Sequence, residues 1–382
     1  MDLIKEVKST LNKIQPHFKN INDIENLINE KDLYFRTKVI TNIYVTPTGK
    51  LRYKGNQRSK PIYLKKYQLE FSKSKNLMKF IQKGHLDDFI IDKTERLKER
   101  NLEKIFPILE DYEEPKRNFT NNRLDYILTT FPSEFISKLT LEGEYIKEID
   151  LVNSQLCILF NFLDQLKAKS GNLLQLSNAS LIFNLYSQGK LNTYLCSDFW
   201  VNYDAKDVQL FKKHVYNGLI YDELVKVSMK KNANPLSRDK VKEMVFSLIF
   251  CKYNSHKLKQ QNLISVEFPN VLKLFKSLKQ SFEKSISAGV LEPIKSSKAQ
   301  QSEGKWDMDY LYGNNYLPIL LQRMESEVFI DHLLPLLYKE SLCCLPKHDS
   351  ILTNESNLKA VKDLMEVELN KFLGANFKLK IK

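Results

Sequence analysis

The stretch CCLPKHDSILT, residues 343–353, constrains the fold more than any other part of this chain. Pro346 disfavours a helix here because it lacks the backbone N–H group that a helix interior needs. The apolar residues Ile351 and Leu352 follow the charged residues at once, which disfavours a solvated loop. The segment therefore predicts a hairpin of two short strands whose charged tip presents the carboxylate of Asp349.

A second acid lies near the end of another predicted strand. The strand-like segment YIKEIDLV (145–152) contains Asp150 and precedes an apolar helical pattern that Asn153 or Ser154 can cap. A carboxylate beside a core is costly unless it is paired or binds a cation. If the fold brings Asp150 and Asp349 together, they require a divalent cation; Mg²⁺ fits because it binds through a few carboxylates, water and substrate phosphates. Spacing alone leaves a structural or surface role for either acid open.

A third stretch, NPLSRDKVKEMVFSLIFCKYN (234–254), predicts a helix that Ser237 caps at its N-terminus. Four residues then recur at intervals of four and share one broad helix face: Arg238, Lys242, Phe246 and Phe250. The two cations come first, where free N–H groups and the helix dipole also favour an anion. This order is typical of a nucleoside triphosphate lying along the helix. An amphipathic helix with two core phenylalanines and two solvated cations is the alternative.

The overall composition favours a polyanionic partner. The 382 residues include 59 Lys and Arg against 46 Asp and Glu, a net charge of +13. Nucleic acid is the simplest partner of such a chain, a membrane surface is a weaker one, and an enzyme of small anions remains possible. The five cysteines form no CxxC pair, and no apolar run reaches the ~20 residues of a membrane span. We therefore expect a soluble, cytoplasmic protein that does not contact a membrane.

The remaining pattern predicts helices around a few strands, an α+β fold. We expect helical segments, a basic β-hairpin-like segment, a turn-rich insert and a last helix that begins near Glu355. In chain order these are helix over 1–34, the hairpin-like segment over 36–68, helix over 72–112 and 175–230, the insert over 305–317, and one long helix over 317–340.

Taken together, these stretches resemble the family-A DNA polymerases and the related single-subunit phage-type RNA polymerases. That family has a fingers helix reading R-x3-K-x3-F-x3-Y-G, which matches residues 238–250 except at the end. Its hairpin reads H-D before a small or acidic residue, like His348-Asp349-Ser350, and its first palm motif D-Y-S-Q-I-E-L resembles DLVNSQL from Asp150. Two weaker matches are NNRLDYILTTFP (121–132) to the T-G-R-L segment and YLPILLQRMESEVF (316–329) to the N-x-P-x-Q-G helix.

The resemblance implies a right-hand polymerase fold with a small antiparallel palm sheet, helical fingers and a mainly helical, thumb-like N-terminal region. The implied domains are the nucleic-acid-gripping region 1–115, the first part of the palm 116–165, the fingers 166–315 and the second part of the palm 316–382. A plain packing role for the N-terminal region stays open.

The resemblance also implies the catalytic groups. Asp150 and Asp349 would hold two Mg²⁺ ions, for which Mn²⁺ can substitute, with the Leu151 carbonyl as a backbone ligand. Two such ions activate the attacking primer hydroxyl and neutralise the departing pyrophosphate. Arg238 and Lys242 would bind the triphosphate, and Lys242 would protonate the pyrophosphate.

Other positions are implied to contact the base and the nucleic acid. Phe246 would pack against the sugar and base, and Phe250 would stack near the templating base. Arg123 would lie near the minor groove of the primer–template, Gln322 near the duplex, and His348 near the primer end.

Three departures from the family pattern bear on the substrate. Phe250 and Cys251 replace the tyrosine and glycine that end the fingers helix, and Ser350 replaces the acid of many DNA polymerases. Gln155 stands where DNA polymerases carry a glutamate that blocks a ribose 2′-hydroxyl and where RNA polymerases carry glycine. Because Gln155 has bulk, deoxynucleotides are favoured.

The leading hypothesis is thus a compact, exonuclease-free DNA polymerase of a phage or mobile element, acting in DNA replication. It would bind nucleoside triphosphates and a DNA primer–template, with an RNA template as an alternative. An RNA polymerase or primase-like enzyme is the first alternative. A nucleic-acid-binding relative without catalysis is the second. The oligomeric state is left open.

Overall fold

The computed structural model describes most of the chain after residue 115 and five short strands before it. The described ranges after residue 115 are 116–118, 120–130, 136, 139–191, 195, 197–231, 235–251, 262–292, 301–302, 305–306 and 316–382.

Fourteen strands occur in the described residues. In chain order they are β1 (Asp32–Leu33), β2 (Lys38–Val39), β3 (Asn42–Val45), β4 (Leu51–Lys54), β5 (Tyr67–Phe71), β6 (Lys116–Arg117), β7 (Leu124–Asp125), β8 (Leu139–Leu141), β9 (Glu144–Leu151), β10 (Gln301–Ser302), β11 (Lys305–Trp306), β12 (Cys344–Lys347), β13 (Ser350–Asn354) and β14 (Leu379–Ile381).

Seven of these strands form one sheet in the order β1-β5-β8-β9-β13-β12, with β14 also pairing with β9. Every pair in this sheet is antiparallel. Between β8 and β9, Glu142 and Gly143 both have positive φ angles, 53° and 81°, the geometry of a two-residue hairpin turn that matches strand twist. This turn sets the register in which β9 crosses the centre of the sheet.

The described residues contain helices α1 to α12, together with one 3₁₀ turn and one π-helical segment. In chain order they are α1 (Ile127–Thr130), α2 (Ser154–Ala168), the 3₁₀ turn Asn172–Gln175, α3 (Ser177–Ser187), α4 (Ser197–Tyr203), α5 (Lys206–Tyr216), α6 (Ile220–Lys231), α7 (Arg238–Phe250), α8 (Asn262–Glu267), α9 (Pro269–Ser287), α10 (Tyr316–Ser326), the π-helical segment Glu327–Leu333, α11 (Leu334–Lys339) and α12 (Leu358–Leu373).

The core lies around α2, which is apolar on nearly all sides as its sequence predicts. Leu156, Phe160 and Leu163 are each at most 2% exposed. Helix α2 packs against α10, α5 and α12, while α9 packs against α4, α5, α7 and α10. The molecule thus combines helices with a small antiparallel sheet, and the more detailed right-hand arrangement remains a prediction.

The predicted hairpin at 343–353 is confirmed, since β12 and β13 pair antiparallel with Lys347 opposite Ser350. The strand and helix predicted around Asp150 are confirmed as β9 and α2. The long helix predicted over 317–340 is present but not uniform. It changes to π-helical geometry at Glu327–Leu333 before α11 continues it.

The predicted cap of α2 is wrong. Asn153 occupies the cap position with a left-handed φ of 56° and makes no side-chain cap hydrogen bond. Its Nδ2 instead donates to the Val215 carbonyl at 3.0 Å, and the Ser154 hydroxyl donates to Glu325 at 2.9 Å. Both side chains therefore join α2 to neighbouring elements.

The N-terminal region is described only as strands. The predicted hairpin over 36–68 is confirmed where β3 pairs with β4, but its turn lies outside the described residues. The helices predicted over 1–34 and 72–112 also lie outside them, except that Asp32–Leu33 is a strand. Both β1 and β5 extend the sheet that contains β9. The domain boundary at residue 115 stays a prediction.

Within the described part of the chain, no helix combines the length and apolar character that crossing a bilayer requires.

Candidate functional site

A cleft of about 790 Å³ lies between the sheet and helix α7. It brings together most of the predicted site residues and several that were not predicted. Its lining consists of Arg123, Glu148, Asp150, Leu151, Val152, Asn153, Ser154, Gln155, Leu156, Tyr221, Arg238, Lys242, Glu243, Phe246, Ser247, Ile249, Phe250, Cys251, Lys347, His348, Asp349, Ser350, Lys380 and Lys382.

The two predicted aspartates lie at the floor of this cleft, Asp150 on β9 and Asp349 in the turn between β12 and β13. Strand β9 pairs with β13 so that Asp150 is directly opposite Ser350, the residue after Asp349. The Leu151 N–H group donates to the Asp349 carbonyl at 3.0 Å, which extends the ladder into the hairpin turn. Two acids that are 199 positions apart in the sequence are thereby neighbours in the sheet.

Burial and mutual repulsion oppose the ionisation of these two acids. The pKa of Asp349 is raised, first by burial and then by the carboxylates of Glu325 and Asp150. Burial also raises the pKa of Asp150, although the nearby Lys382 opposes that change. A bound cation would relieve both effects, because it restores the solvation that the carboxylates lose.

A third carboxylate, that of Glu325 on α10, lies close to Asp349. Glu325 is 1% exposed and accepts hydrogen bonds from the Arg123 guanidinium and the Ser154 hydroxyl. These contacts join the segment before β7, helix α2 and helix α10 around one buried acid. Arg123 thus forms an ion pair inside the protein. Its Nε atom is buried without a hydrogen-bond partner among the described residues.

Two lysines neutralise a further acid in the cleft, Glu148. Its carboxylate oxygens lie 3.0 Å from Lys347 Nζ and 3.1 Å from Lys382 Nζ. Lys382 Nζ also lies 3.1 Å from Asp150 Oδ1. Burial disfavours the ionised form of Glu148, but the two ammonium groups outweigh burial and lower its pKa.

The opposite wall of the cleft is helix α7. Ser237 caps it as predicted, since its side-chain oxygen accepts from the Lys240 N–H group at 3.3 Å. The four residues spaced by four all line the cleft, namely Arg238, Lys242, Phe246 and Phe250. The two rings meet edge to face with centroids 6.0 Å apart. Cations and rings therefore share one exposed surface, as the spacing predicts.

The two cations of α7 differ in their surroundings. Arg238 Nε forms a 3.0 Å ion pair with Asp222 in which both side chains are about half exposed, and its guanidinium stacks over the Tyr221 ring at 5.3 Å. Lys242 has no ion pair with another described residue and lies 5.5 Å from the centroid of Phe246. Lys242 is therefore the cation of this helix that is most free to bind an anion.

Four residues that line the cleft have a polar atom that is buried without a hydrogen-bond partner in the described part of the chain, namely Arg123 Nε, Asn153 Oδ1, Gln155 Oε1 and His348 Nδ1. Burial and the charges of Arg123 and Lys347 lower the pKa of His348 to about 4, so the imidazole is neutral at neutral pH. A neutral imidazole nitrogen and an amide oxygen without partners both remain available to a ligand.

Gln322 is not part of the cleft. It lies on α10, where its Oε1 accepts from Asn121 Nδ2 at 3.2 Å. The neighbouring Asn122 has a left-handed φ of 58°. Glycine and asparagine adopt this conformation more readily than other residues do.

The donors in the cleft fit Mg²⁺. Asp150 and Asp349 offer carboxylate oxygens, and Leu151 lines the cleft beside them. No group of three or more His, Cys, Asp and Glu side chains suited to a metal ion occurs in the described residues. Mg²⁺ binds through a few carboxylates and takes the rest of its shell from water and substrate phosphates, so Asp150 and Asp349 are the residues that would hold it.

Sequence reasoning missed the charged partners of the two aspartates. Glu148 carried a usable signal, because residues two apart on a strand share a face and Glu148 precedes Asp150 by two. No sequence signal pointed to Glu325, since its position beside Asp349 depends on how α10 packs. The alternation of Lys380 and Lys382 predicts a strand face but not its partner strand.

Comparison with known proteins gives little further information. No model of a known protein family matches the sequence, and no curated protein matches it. The POL domain of Pol1 from M. smegmatis, solved in complex with DNA primer-template and dNTP, aligns with a TM-score of 0.42 and 12% sequence identity. The alignment covers 98% of this chain and 65% of that one, so the chain spans less than two thirds of that structure. A similarity at this level does not establish a shared function.

Proposed function

We propose that this chain is a template-directed nucleotidyltransferase, and specifically a DNA polymerase that extends a primer. The observation that carries the proposal is that acidic side chains and a row of cations and aromatic rings line the same cleft. Asp150 and Asp349 lie on its floor, and the cation-then-ring face that begins at Arg238 forms its wall. Metal-binding acids opposite phosphate-binding cations are what phosphoryl transfer requires.

The acids would hold Mg²⁺ through Asp150, Asp349 and the Leu151 carbonyl. Bound there, the ions supply activation of the attacking hydroxyl and neutralisation of the leaving group. The raised pKa values of both acids support this assignment, because burial and nearby carboxylates disfavour their ionised forms and a bound cation would favour them.

The residues of α7 would bind the nucleotide and exclude water from it. Arg238 and Lys242 lie in the first turns, where the helix N-terminus also attracts the triphosphate. Lys242 would donate a proton from its ammonium group to the departing pyrophosphate oxygen. Phe246 would pack against the sugar and base, and Phe250, which is 42% exposed, would stack near the templating base.

The polar groups around the floor would orient the nucleic acid. His348 would support the primer end through its unpartnered nitrogen, and Arg123 would lie near the minor groove. Gln322 would act on the duplex only from outside the cleft. Gln155, whose amide oxygen has no partner in the described residues, would contact the sugar and favour deoxynucleotides.

An RNA polymerase or primase-like enzyme is the second candidate, and Ser350 favours it. The Ser350 hydroxyl donates to the Lys347 carbonyl at 2.8 Å, so this position stabilises the hairpin instead of supplying an acid. The form His-Asp-Ser is that of the RNA polymerases in the family that the sequence resembles.

Primer extension tests the proposal. A labelled primer on a DNA template is incubated with Mg²⁺ or Mn²⁺ and either deoxynucleotides or ribonucleotides. We expect extension with deoxynucleotides and none with Asp349→Ala, whereas Asp363→Asn, which changes an exposed acid of α12, retains wild-type activity.

The same assay separates the alternatives. Synthesis from ribonucleotides without a primer would favour the RNA polymerase or primase. Salt-sensitive DNA binding without any metal-dependent synthesis would favour a catalytically inactive nucleic-acid-binding protein. Equal synthesis by the Asp349→Ala variant would overturn the proposal.

A further inference from the structure

Lys382 occupies the place beside Asp150 where a cation is expected. Its ammonium group bridges Asp150 Oδ1 and Glu148 Oε1, with both distances at 3.1 Å. The Lys382 side chain is 47% exposed, whereas those of Asp150 and Glu148 are 20% and 11% exposed. An accessible ammonium group thus neutralises two poorly solvated carboxylates.

The pairing of β14 with β9 places Lys382 beside Asp150 and Glu148. Strand β14 lies beside β9 with Lys380 opposite Asp150 and Ile381 opposite Ile149. The ladder continues one residue further, because the Lys382 N–H group donates to the Glu148 carbonyl at 2.9 Å and Glu148 N–H donates to the main-chain oxygen of Lys382 at 3.3 Å. The backbone of Lys382 is therefore fixed while its half-exposed side chain can move.

Lys380 gives a natural comparison on the same strand. Because side chains two apart on a strand share a face, Lys380 and Lys382 both point towards the cleft, and both line it. Lys380 is exposed and has no ion pair with another described residue, unlike Lys382. Both lysines thus place a positive charge at the cleft, but of the two only Lys382 forms an ion pair with Asp150.

We propose that Lys382 is a positioning residue that sets the affinity of the aspartate site for divalent cations. This inference rests on the proposed function, because it assumes that Asp150 binds the cation. In the substrate-free protein, Lys382 holds the carboxylate of Asp150 in place and competes with a divalent ion for it. When the ion binds, Lys382 leaves Asp150 and keeps its contact with Glu148.

The charges set the direction of the effects. Lysine and a divalent ion repel each other when both lie near Asp150, so removing the lysine charge should tighten ion binding. For two such charges about 5 Å apart in a water-like dielectric, the change corresponds to about tenfold in affinity. Removing the charge of Glu148 has the opposite effect, because Lys382 then pairs with Asp150 alone and the site loses a negative charge.

The test is Mn²⁺ binding to the substrate-free protein, measured by electron paramagnetic resonance of free Mn²⁺. We expect Lys382→Met to bind Mn²⁺ about tenfold more tightly than wild type. Lys382→Arg, which keeps the charge, should bind as wild type does, and Lys380→Met should change the affinity by less than about threefold. Glu148→Gln should weaken binding. Thermal denaturation in EDTA checks that each variant is folded.

The outcomes distinguish this inference from the proposed function. If Asp150→Asn leaves Mn²⁺ affinity unchanged, the proposed metal site is wrong and the inference falls with it. If Asp150→Asn weakens binding but Lys382→Met binds as wild type or more weakly, the metal site stands and the role of Lys382 is rejected. If Lys380→Met and Lys382→Met tighten binding equally, the effect is one of overall charge, and the specific role of Lys382 is also rejected.

Discussion

The two walls of the cleft carry their charges in opposite ways. On α7, the cations are solvated: the Arg238 side chain is 55% exposed, and Lys242 has no ion pair with another described residue. On the sheet, the acids are buried among other charges, with Glu148 held between two lysines. A helix surface keeps its cations hydrated and available, whereas strands at the edge of a core desolvate their acids.

The contrast indicates which wall of the cleft depends on a ligand for its charge balance. The helix is complete without a ligand, because solvated cations need no partner. The two aspartates do depend on a ligand, because burial and the repulsion of nearby carboxylates raise the pKa values of both. We therefore expect changes on the sheet to affect both catalysis and stability, and changes on the helix to affect catalysis alone.

The largest effect is expected for Asp349→Asn. The neutral amide cannot hold a metal ion as the carboxylate does, so primer extension should fall by about a thousandfold or more. The same change removes a buried acid whose raised pKa lowers the free energy of unfolding near neutral pH, so the melting temperature in EDTA should rise. Extension rates and thermal denaturation measure the two effects. Loss of activity together with a lower melting temperature would contradict the contrast drawn between the two walls.

Lys242→Met tests the helix wall. It removes the least engaged cation from the triphosphate site, and we expect kcat/KM for the nucleotide to fall roughly a hundredfold. The melting temperature should stay within a degree or two of the wild-type value, because the side chain has no ion pair in the described structure. Lys240→Met is the matched control, since Lys240 lies on the same helix, outside the cleft lining, with a side chain that is 70% exposed. Equal losses for both variants would show that only general charge matters.

Phe250→Ala tests the apolar end of the same helix. Stacking of a base on an aromatic ring contributes enough that kcat/KM should fall about thirtyfold. Because Phe250 is 42% exposed, its removal should cost little folding free energy. Val201→Ala, at another exposed apolar side chain (68% exposed) on α4, should alter neither quantity. A strongly lowered melting temperature for Phe250→Ala would instead assign the ring to packing.

The last expected effect concerns stability alone, as a pH dependence in the absence of metal. The pKa of Asp349 is raised in the folded state by burial, Glu325 and Asp150, while the unfolded chain has the ordinary value near about 4. Above that pH the folded state binds more protons at this group than the unfolded state does. The contribution of Asp349 therefore makes stability fall as pH rises, by at most about 1.4 kcal/mol per unit.

Denaturant titrations in EDTA from pH 5 to 8 measure this slope. Asp349→Asn should lose the contribution and show a flatter, or rising, stability profile over the range. His348 acts in the opposite direction, because its lowered pKa of about 4 makes the folded state lose stability as pH falls below about 6.5. An unchanged slope in Asp349→Asn would mean that Asp349 is already solvated or paired.

Local sequence determined the elements that carry the site. Pro346 and the apolar residues Ile351 and Leu352 predicted the hairpin, and the strand-like segment YIKEIDLV predicted β9. The cap at Ser237 and the intervals of four predicted α7 and the face that it presents. These predictions succeed because turns, caps and periodicity act within a few residues of the chain.

Tertiary structure alone decided the partners of those elements. The cap predicted for α2 failed because Asn153 and Ser154 bond to distant groups, and Gln322 faces Asn121 instead of the cleft. The pairing of β14 with β9, which brings Lys382 to Asp150, has no counterpart in the local pattern. Charge balance at the floor of the cleft depends on side chains from five separate segments: the residue before β7, β9, α10, the β12–β13 hairpin and the residue after β14. Only long-range packing and strand pairing could place them together, because each segment by itself is compatible with many neighbours.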